Sequence, residues 1–146
     1  MDRSDRTDDF LKKFKGKIQN VIRKPKRLYF EVNNEDLREI AKYIFHDMGC
    51  RLSTATATEV YDAIEVLYQF SHDPSGCYFC PRIRIKDKKN PVMNSITPVV
   101  RGAEWIEREM FDFWGVTFLD HPRPERLLAR EHPKNLDKPL RFGRIS

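Results

Sequence analysis

Apolar positions recur with two different periods along this chain. Between Asp8 and Arg23 they fall at Phe10, Leu11, Phe14, Ile18, Val21 and Ile22. That spacing predicts a helix, which Thr7 or Asp8 can cap and Pro25 closes. "RLYFEV", Arg27 to Val32, alternates and predicts a strand. Asn34 stands at an N-cap position, and Leu37, Ile40, Ala41, Ile44, Phe45 and Met48 form one apolar stripe that ends at Gly49. This is the clearest helix in the sequence. "RLSTATATE" (Arg51 to Glu59), "AIEVLYQFSH" (Ala63 to His72) and "CYFCPRIRIK" (Cys77 to Lys86) predict three strands in hairpin order. "DPSG", Asp73 to Gly76, supplies a turn between the last two. Pro81 has no N–H to give a sheet, so it points to an edge position or a bulge. "DKKNPVMN" predicts a loop.

Pro98 and Gly102 precede a last helix from Ala103 to Trp114, and Gly115 can end it in a left-handed cap. After "VTFL" the chain becomes rich in proline and charge and loses its periodicity. The pattern predicts an α+β fold with a largely antiparallel four-stranded sheet covered by helices. Residues 1–118 form the domain, and 119–146 an extended tail that lies on something.

The last helix, "WIEREMFDFWGV" at its centre, mixes large aromatics with charges. At about 100° per residue, Ala103, Ile106, Met110, Phe113 and Trp114 share one face, which should pack on the sheet. Glu104, Arg108 and Asp112 stack on the opposite side. Glu107 sits beside Phe111, and Glu109 between Trp105 and Phe113. Two readings are open: a solvated charge ladder with snorkelling aromatics, or a helix covered by its own sheet and by another chain together. Charges buried in the second case must be paired.

Composition narrows the function. With 146 residues the chain is one ordinary domain, and 40% hydrophobic residues suffice for a core. No apolar run approaches ~20 residues, so no membrane span is expected. The start, "MDRSDRTDDF", is polar where a signal peptide is apolar, which predicts a cytoplasmic protein. A net charge of +5 suits a nucleic acid, an anionic membrane or an acidic protein and does not choose among them. Three cysteines, an odd count, argue against a disulfide framework. "CYFC", Cys77 to Cys80, raises zinc or an iron–sulfur cluster, but residues three apart on a strand point to opposite faces and chelate badly. Apolar packing is the simpler reading. His46, His72, His121 and His132 show no ligand spacing, and no glycine-rich phosphate loop is present. Glu107 and Glu109 leave a helix about 160° apart, so they do not converge on one substrate atom. The sequence therefore nominates no catalytic, cofactor-binding or metal-binding residue.

"EREMFDFWGVTFLDHPRPERLL", Glu107 to Leu128, resembles the core motif of the NADH dehydrogenase family to which the 30-kilodalton subunit of respiratory complex I belongs. That family includes small subunits of membrane-bound, ferredoxin-linked hydrogenase-type complexes. The residues that carry the resemblance are Glu107, Arg108, Glu109, Asp112, Phe113, Trp114, Gly115, His121, Pro122, Arg126, Leu127 and Leu128. "SITPVVRGAEW" before them and "KPLR" (Lys138 to Arg141) after them are similar as well. Where the family has two basic residues, this chain has Glu125 and then Arg126, and Trp114 is bulkier than the usual Phe or Tyr.

The resemblance implies a cofactor-free structural subunit of a membrane-associated oxidoreductase complex that couples electron transfer to ion translocation. It implies docking on a hydrogenase-like, 49-kilodalton-type large subunit and an iron–sulfur subunit, on the cytoplasmic side, in the peripheral arm. Iron–sulfur clusters, and in hydrogenase relatives nickel–iron, are expected in those partners. The implied contact residues are Glu104, Trp105, Glu107, Arg108, Glu109, Asp112, Gly115, His121, Pro122, Arg126, Leu127 and Arg141. The compact chain leans toward the hydrogenase-related branch. The alternative from another class is a basic α+β module that binds RNA or DNA. Charge and aromatic strands favour it, and the acidic motif around Glu107, which repels phosphate, opposes it.

Overall fold

The first apolar run divides at Gly16. In the computed structural model, which describes residues 3–122 with side chains from residue 7 onward, helix α1 (Arg3–Lys13) stops before this glycine. Gly16 takes φ +94°, a backbone conformation that side chains disfavour. Strand β1 (Ile18–Arg23) follows, so the helix expected to continue to Arg23 is corrected to a helix and a strand. The β-branched Ile18, Val21 and Ile22 suit a strand as well as the helical period they also fit. α1 docks through Phe10, whose ring lies 5.0 Å from Phe30 and 5.5 Å from Phe79. Burying such a ring contributes about 2–3 kcal/mol.

Among the described residues, β1, β2 (Arg27–Val32), β3 (Arg51–Val60), β4 (Ala63–His72) and β5 (Cys77–Ile85) form one sheet in the order β1-β2-β5-β4-β3. Only β2 and β5 run parallel. The sheet is thus largely antiparallel, with five strands rather than the four expected, because β1 was hidden in a helical pattern. Pro81 is neither at an edge nor in a bulge, since β5 is the central strand. Leu67↔Arg82 and Phe70↔Phe79 keep one register across it, and only the β4 pairs opposite Pro81 are missing. On its other side Pro81 stays paired with Phe30.

Among the described residues, α1 and two further helices cover the same face. α2 (Leu37–Lys42) begins from a 3₁₀ turn (Asn34–Asp36) and continues as a π turn (Tyr43–Asp47). α3 (Glu104–Trp114) follows a 3₁₀ turn (Arg101–Ala103). They enclose Leu28, Phe30, Val66, Phe70, Phe79 and Ile83. The open face is sealed by long side chains: the Arg27 guanidinium lies 4.4 Å over the Tyr78 ring, Glu31 meets Arg82 at 3.7 Å, and Glu65 meets Arg84 at 3.6 Å.

The expected loop before α3 contains a short strand, β6 (Val92–Asn94), which pairs in parallel with β7 (Thr117–Leu119). Two residues of the α2 segment hold this small sheet. Asn34 is not the N-cap it was expected to be; the cap position falls to Asn33, whose side chain makes no cap bond. Instead Asn34 Oδ1 accepts from the Asn94 N–H at 2.6 Å, and Asn94 Nδ2 donates to the Asn34 carbonyl at 3.0 Å. Arg38 donates to the carbonyls of Ser95 at 2.7 Å and Leu119 at 2.8 Å, and meets Asp120 at 2.9 Å. One guanidinium therefore ties α2 to both ends of the segment that contains α3. Charge-assisted bonds from one guanidinium to two carbonyls are strong, so Arg38→Ala should lower stability by about 2 kcal/mol. Arg38→Lys should recover less than half of it, since an ammonium cannot span both carbonyls. Urea midpoints followed by circular dichroism check both values.

Candidate docking site

The helix α3 and the turn before it pack on the sheet through Ala103, Ile106, Met110 and Trp114 of the expected face, joined by Glu107. The buried face therefore holds a carboxylate that its apolar spacing did not announce. Glu107 is 0% exposed. Each of its oxygens accepts two hydrogen bonds. Oε1 takes the Ser95 hydroxyl at 2.5 Å and the Thr97 hydroxyl at 2.7 Å. Oε2 takes the Tyr68 hydroxyl at 2.7 Å and the Ile96 N–H at 3.0 Å. An ionised carboxylate offers acceptor sites only, and all four neighbours are donors. Burial without such partners would cost several kcal/mol. Alternation along β4 places Tyr68 on the helix-covered face, and the turn before α3 brings Ser95, Ile96 and Thr97 to the same point. A further Ser95 bond, from the Thr97 N–H at 3.0 Å, holds that turn in shape.

The other motif residues take different environments. Asp112 lies about 180° round the helix from Ala103, yet it is also 0% exposed. α3 is therefore covered on two sides within the chain, and the expected ladder of Glu104, Arg108 and Asp112 is not a solvated one: Glu104 and Arg108 are half-buried. His121 Nε2 donates to the Glu104 carbonyl at 2.9 Å and lies 3.9 Å from Glu107 Oε1. Gly115 takes φ +75° and its N–H closes on the Phe111 carbonyl at 3.0 Å, the left-handed cap expected of it. Trp105 is 55% exposed, and its indole N–H reaches Glu109 at 3.2 Å. Glu104 and Pro122 share an open recess of about 340 Å³ with Thr97, Pro98, Arg101 and Asp120. Arg126, Leu127 and Arg141, and the tail beyond Pro122, lie outside the described residues.

Sequence reasoning missed Tyr68, Ser95, Thr97 and Arg38. A tyrosine at a core-facing position of β4 is one signal that could have found the site, because its hydroxyl requires a buried partner. Cys77 belongs to the helix-covered core, and Cys80 to the opposite face of β5. Burial pushes the Cys80 thiol up to about 11, against the pull of Arg27. Among the described residues no three His, Cys, Asp or Glu side chains are grouped to hold a metal. No helix among them is long and apolar enough to cross a membrane.

Residues 30–143 match the family described as the respiratory-chain NADH dehydrogenase, 30 Kd subunit. The chain is similar to a subunit of the NADH-quinone oxidoreductase of Rhodobacter capsulatus, 32% identical over 74% of this chain and 58% of the relative. The corresponding protein of Trichlorobacter lovleyi is 30% identical over 92% of this chain and 90% of its own length. The chain thus spans little more than half of the first relative and nearly all of the second. The fold resembles a chain in the structure of the membrane-bound sulfane sulfur reductase, an archaeal respiratory membrane complex, with a TM-score of 0.78, 21% identity and coverage of 94% of this chain and 80% of that one.

Two measurements test the buried cluster. Glu107→Gln sets an amide NH₂ against two of the four donors and should lower stability by roughly 2–4 kcal/mol, read from urea midpoints at neutral pH. Burial, first, and the adjacent Glu107 charge raise the Tyr68 hydroxyl well above its ordinary 10.0. The unfolded chain then loses that proton at lower pH than the folded chain. The stability held in Tyr68 is complete below pH 10.0 and is lost progressively above it. Tyr68→Phe should flatten this alkaline decline while lowering stability at neutral pH, which a pH series of unfolding midpoints resolves.

Proposed function

The chain belongs to the respiratory-chain NADH dehydrogenase 30 Kd subunit family, and we propose that it is a docking subunit of a membrane-associated electron-transfer complex. In this reading it carries no redox group of its own. It presents the outer side of α3 to a hydrogenase-like large subunit, and an iron–sulfur subunit of the same assembly holds the clusters. The complex works at the cytoplasmic face of the membrane and couples electron transfer to ion translocation.

The observation that carries this reading is the division of labour around α3. The Glu107 cluster fixes the helix from inside, while Trp105 is left more than half exposed beside Glu109. A tryptophan on a rigid helix, rimmed by polar groups, suits the buried anchor of an interface. The recess shared by Glu104 and Pro122 opens from the start of the same helix. A nucleic-acid role has less support. Two arginines on the open sheet face are matched to carboxylates, Arg82 to Glu31 and Arg84 to Asp62 and Glu65, and Arg27 is held by Gln69 and the Tyr78 ring, which leaves that face a poor track for phosphates.

The test is to express the tagged chain in its own organism and to purify the assembly it enters. The reading requires co-purification with a large subunit and an iron–sulfur subunit in equal amounts. Trp105→Ala should weaken that assembly about tenfold or more, while the isolated variant unfolds within about 0.5 kcal/mol of the parent. An isolated variant that unfolds would assign Trp105 to the chain's own core. A fully assembled variant complex would remove Trp105 from the interface.

A further inference from the structure

The two edges of the main sheet differ in a way that the fold itself does not require. β1 forms one edge. It is six residues long, its register shifts between Gln19 and Ile22, and Asn20 sits at φ +51° within the shift. Lys17 precedes it, and Arg23, Lys24, Pro25 and Lys26 close it. Short length, a bulge, basic residues and proline are the devices by which sheets keep other strands from adding to an edge.

β3 forms the other edge and lacks most of these protections. It is ten residues long, and among the described residues it pairs only with β4. From Leu52 to Thr58 it carries no charge and no proline. Its one register shift lies near its start, between Leu52 and Thr54, and pairing from Thr54 to Val60 is unbroken. Among the described residues, that regular stretch has no sheet neighbour on one side of its backbone. The hairpin that follows it presents Tyr61, 98% exposed, at its tip.

We propose that the free edge of β3 accepts an extended segment of a neighbouring subunit as a sixth strand of this sheet. The surroundings define the segment's chemistry. On one face of β3, Ala55 and Ala57 point toward the side covered by α3, which packs against this strand. On the other face Thr54, Thr56 and Thr58 are exposed. An incoming strand beside Thr54–Thr58 therefore alternates, apolar toward α3 and polar toward solvent, over about five residues, and meets the Glu59–Lys88 pair beyond that stretch. Backbone donors and acceptors supply its main recognition, with Tyr61 as an aromatic contact at one end. The occupant is a different polypeptide and not a second copy. α3 overlies β3, so one partner can engage the outer side of α3 and the strand edge together, and this step rests on the docking role proposed above.

The test uses amide hydrogen exchange on the purified complex and on the isolated full chain. Every other amide between Thr54 and Val60 points away from β4. These amides should exchange about tenfold or more slowly in the complex than in the isolated chain. A photo-crosslinking amino acid at Thr56 should capture a single segment of one neighbouring subunit, with alternating apolar and polar residues. Equal exchange in the complex and the isolated chain would overturn the strand addition while leaving the docking role intact. Concentration-dependent protection of the same amides in the isolated chain, with a doubled mass, would assign the edge to a second copy and overturn the proposed occupant. A chain that enters no complex at all would remove both readings.

Discussion

One buried carboxylate joins the parts of this molecule that the sheet alone would leave separate. Glu107 draws donors from β4, from the turn at residues 95–97 and from nothing in its own helix. Each of its oxygens is filled twice, so rotation of the side chain in either direction breaks bonds that no water can replace at 0% exposure. The result is a fixed rotation and height for α3 relative to the sheet. Apolar packing through Ala103, Met110 and Trp114 would tolerate small slips; a four-donor carboxylate does not. Arg38 does the corresponding work from the other side, holding the start of this segment at Ser95 and its end at Leu119 and Asp120. A negative and a positive group, neither opposed directly to the other, thus constrain the same segment through its hydroxyls and carbonyls.

The legible parts of the fold were those whose signals are local. β2, β3, β4 and β5 followed from alternation and turn chemistry, and α3 from its preceding glycine and proline and its left-handed cap at Gly115. β1 was not legible because Ile18, Val21 and Ile22 satisfy both periods, and the decisive residue, Gly16, makes no apolar contact to count. The central position of Pro81 was hidden for a related reason. A missing donor can be tolerated wherever a sheet keeps register on both sides of the gap, and register is a property of two strands. The apolar face of α3 was legible from its spacing, but the burial of Glu107 within it was not. What decides that burial is a tyrosine 39 residues upstream and a serine 12 residues upstream, neither visible within the helix.

The consecutive Glu107, Arg108 and Glu109 show why such a motif resists a single role. Successive helical residues diverge by about 100°, so three neighbours in sequence cannot share one environment. Glu107 is enclosed by donors, Arg108 is half-buried, and Glu109 meets Trp105 toward the surface. The first acts on the fold, and the third sits where a partner can reach it. Asp112, buried on the side of the helix away from Glu107, shows that the outer side is not uniformly solvent-facing either. Loss of each of these charges would act through a different physical route. Removing Glu107 leaves buried donors unmatched and changes the equilibrium of folding. Removing Glu109 frees the Trp105 indole N–H, an exposed bond worth well under ~1 kcal/mol to the chain, and alters only what the surface presents. Stability of the isolated chain therefore separates the two classes of residue within one motif, which assembly alone cannot do.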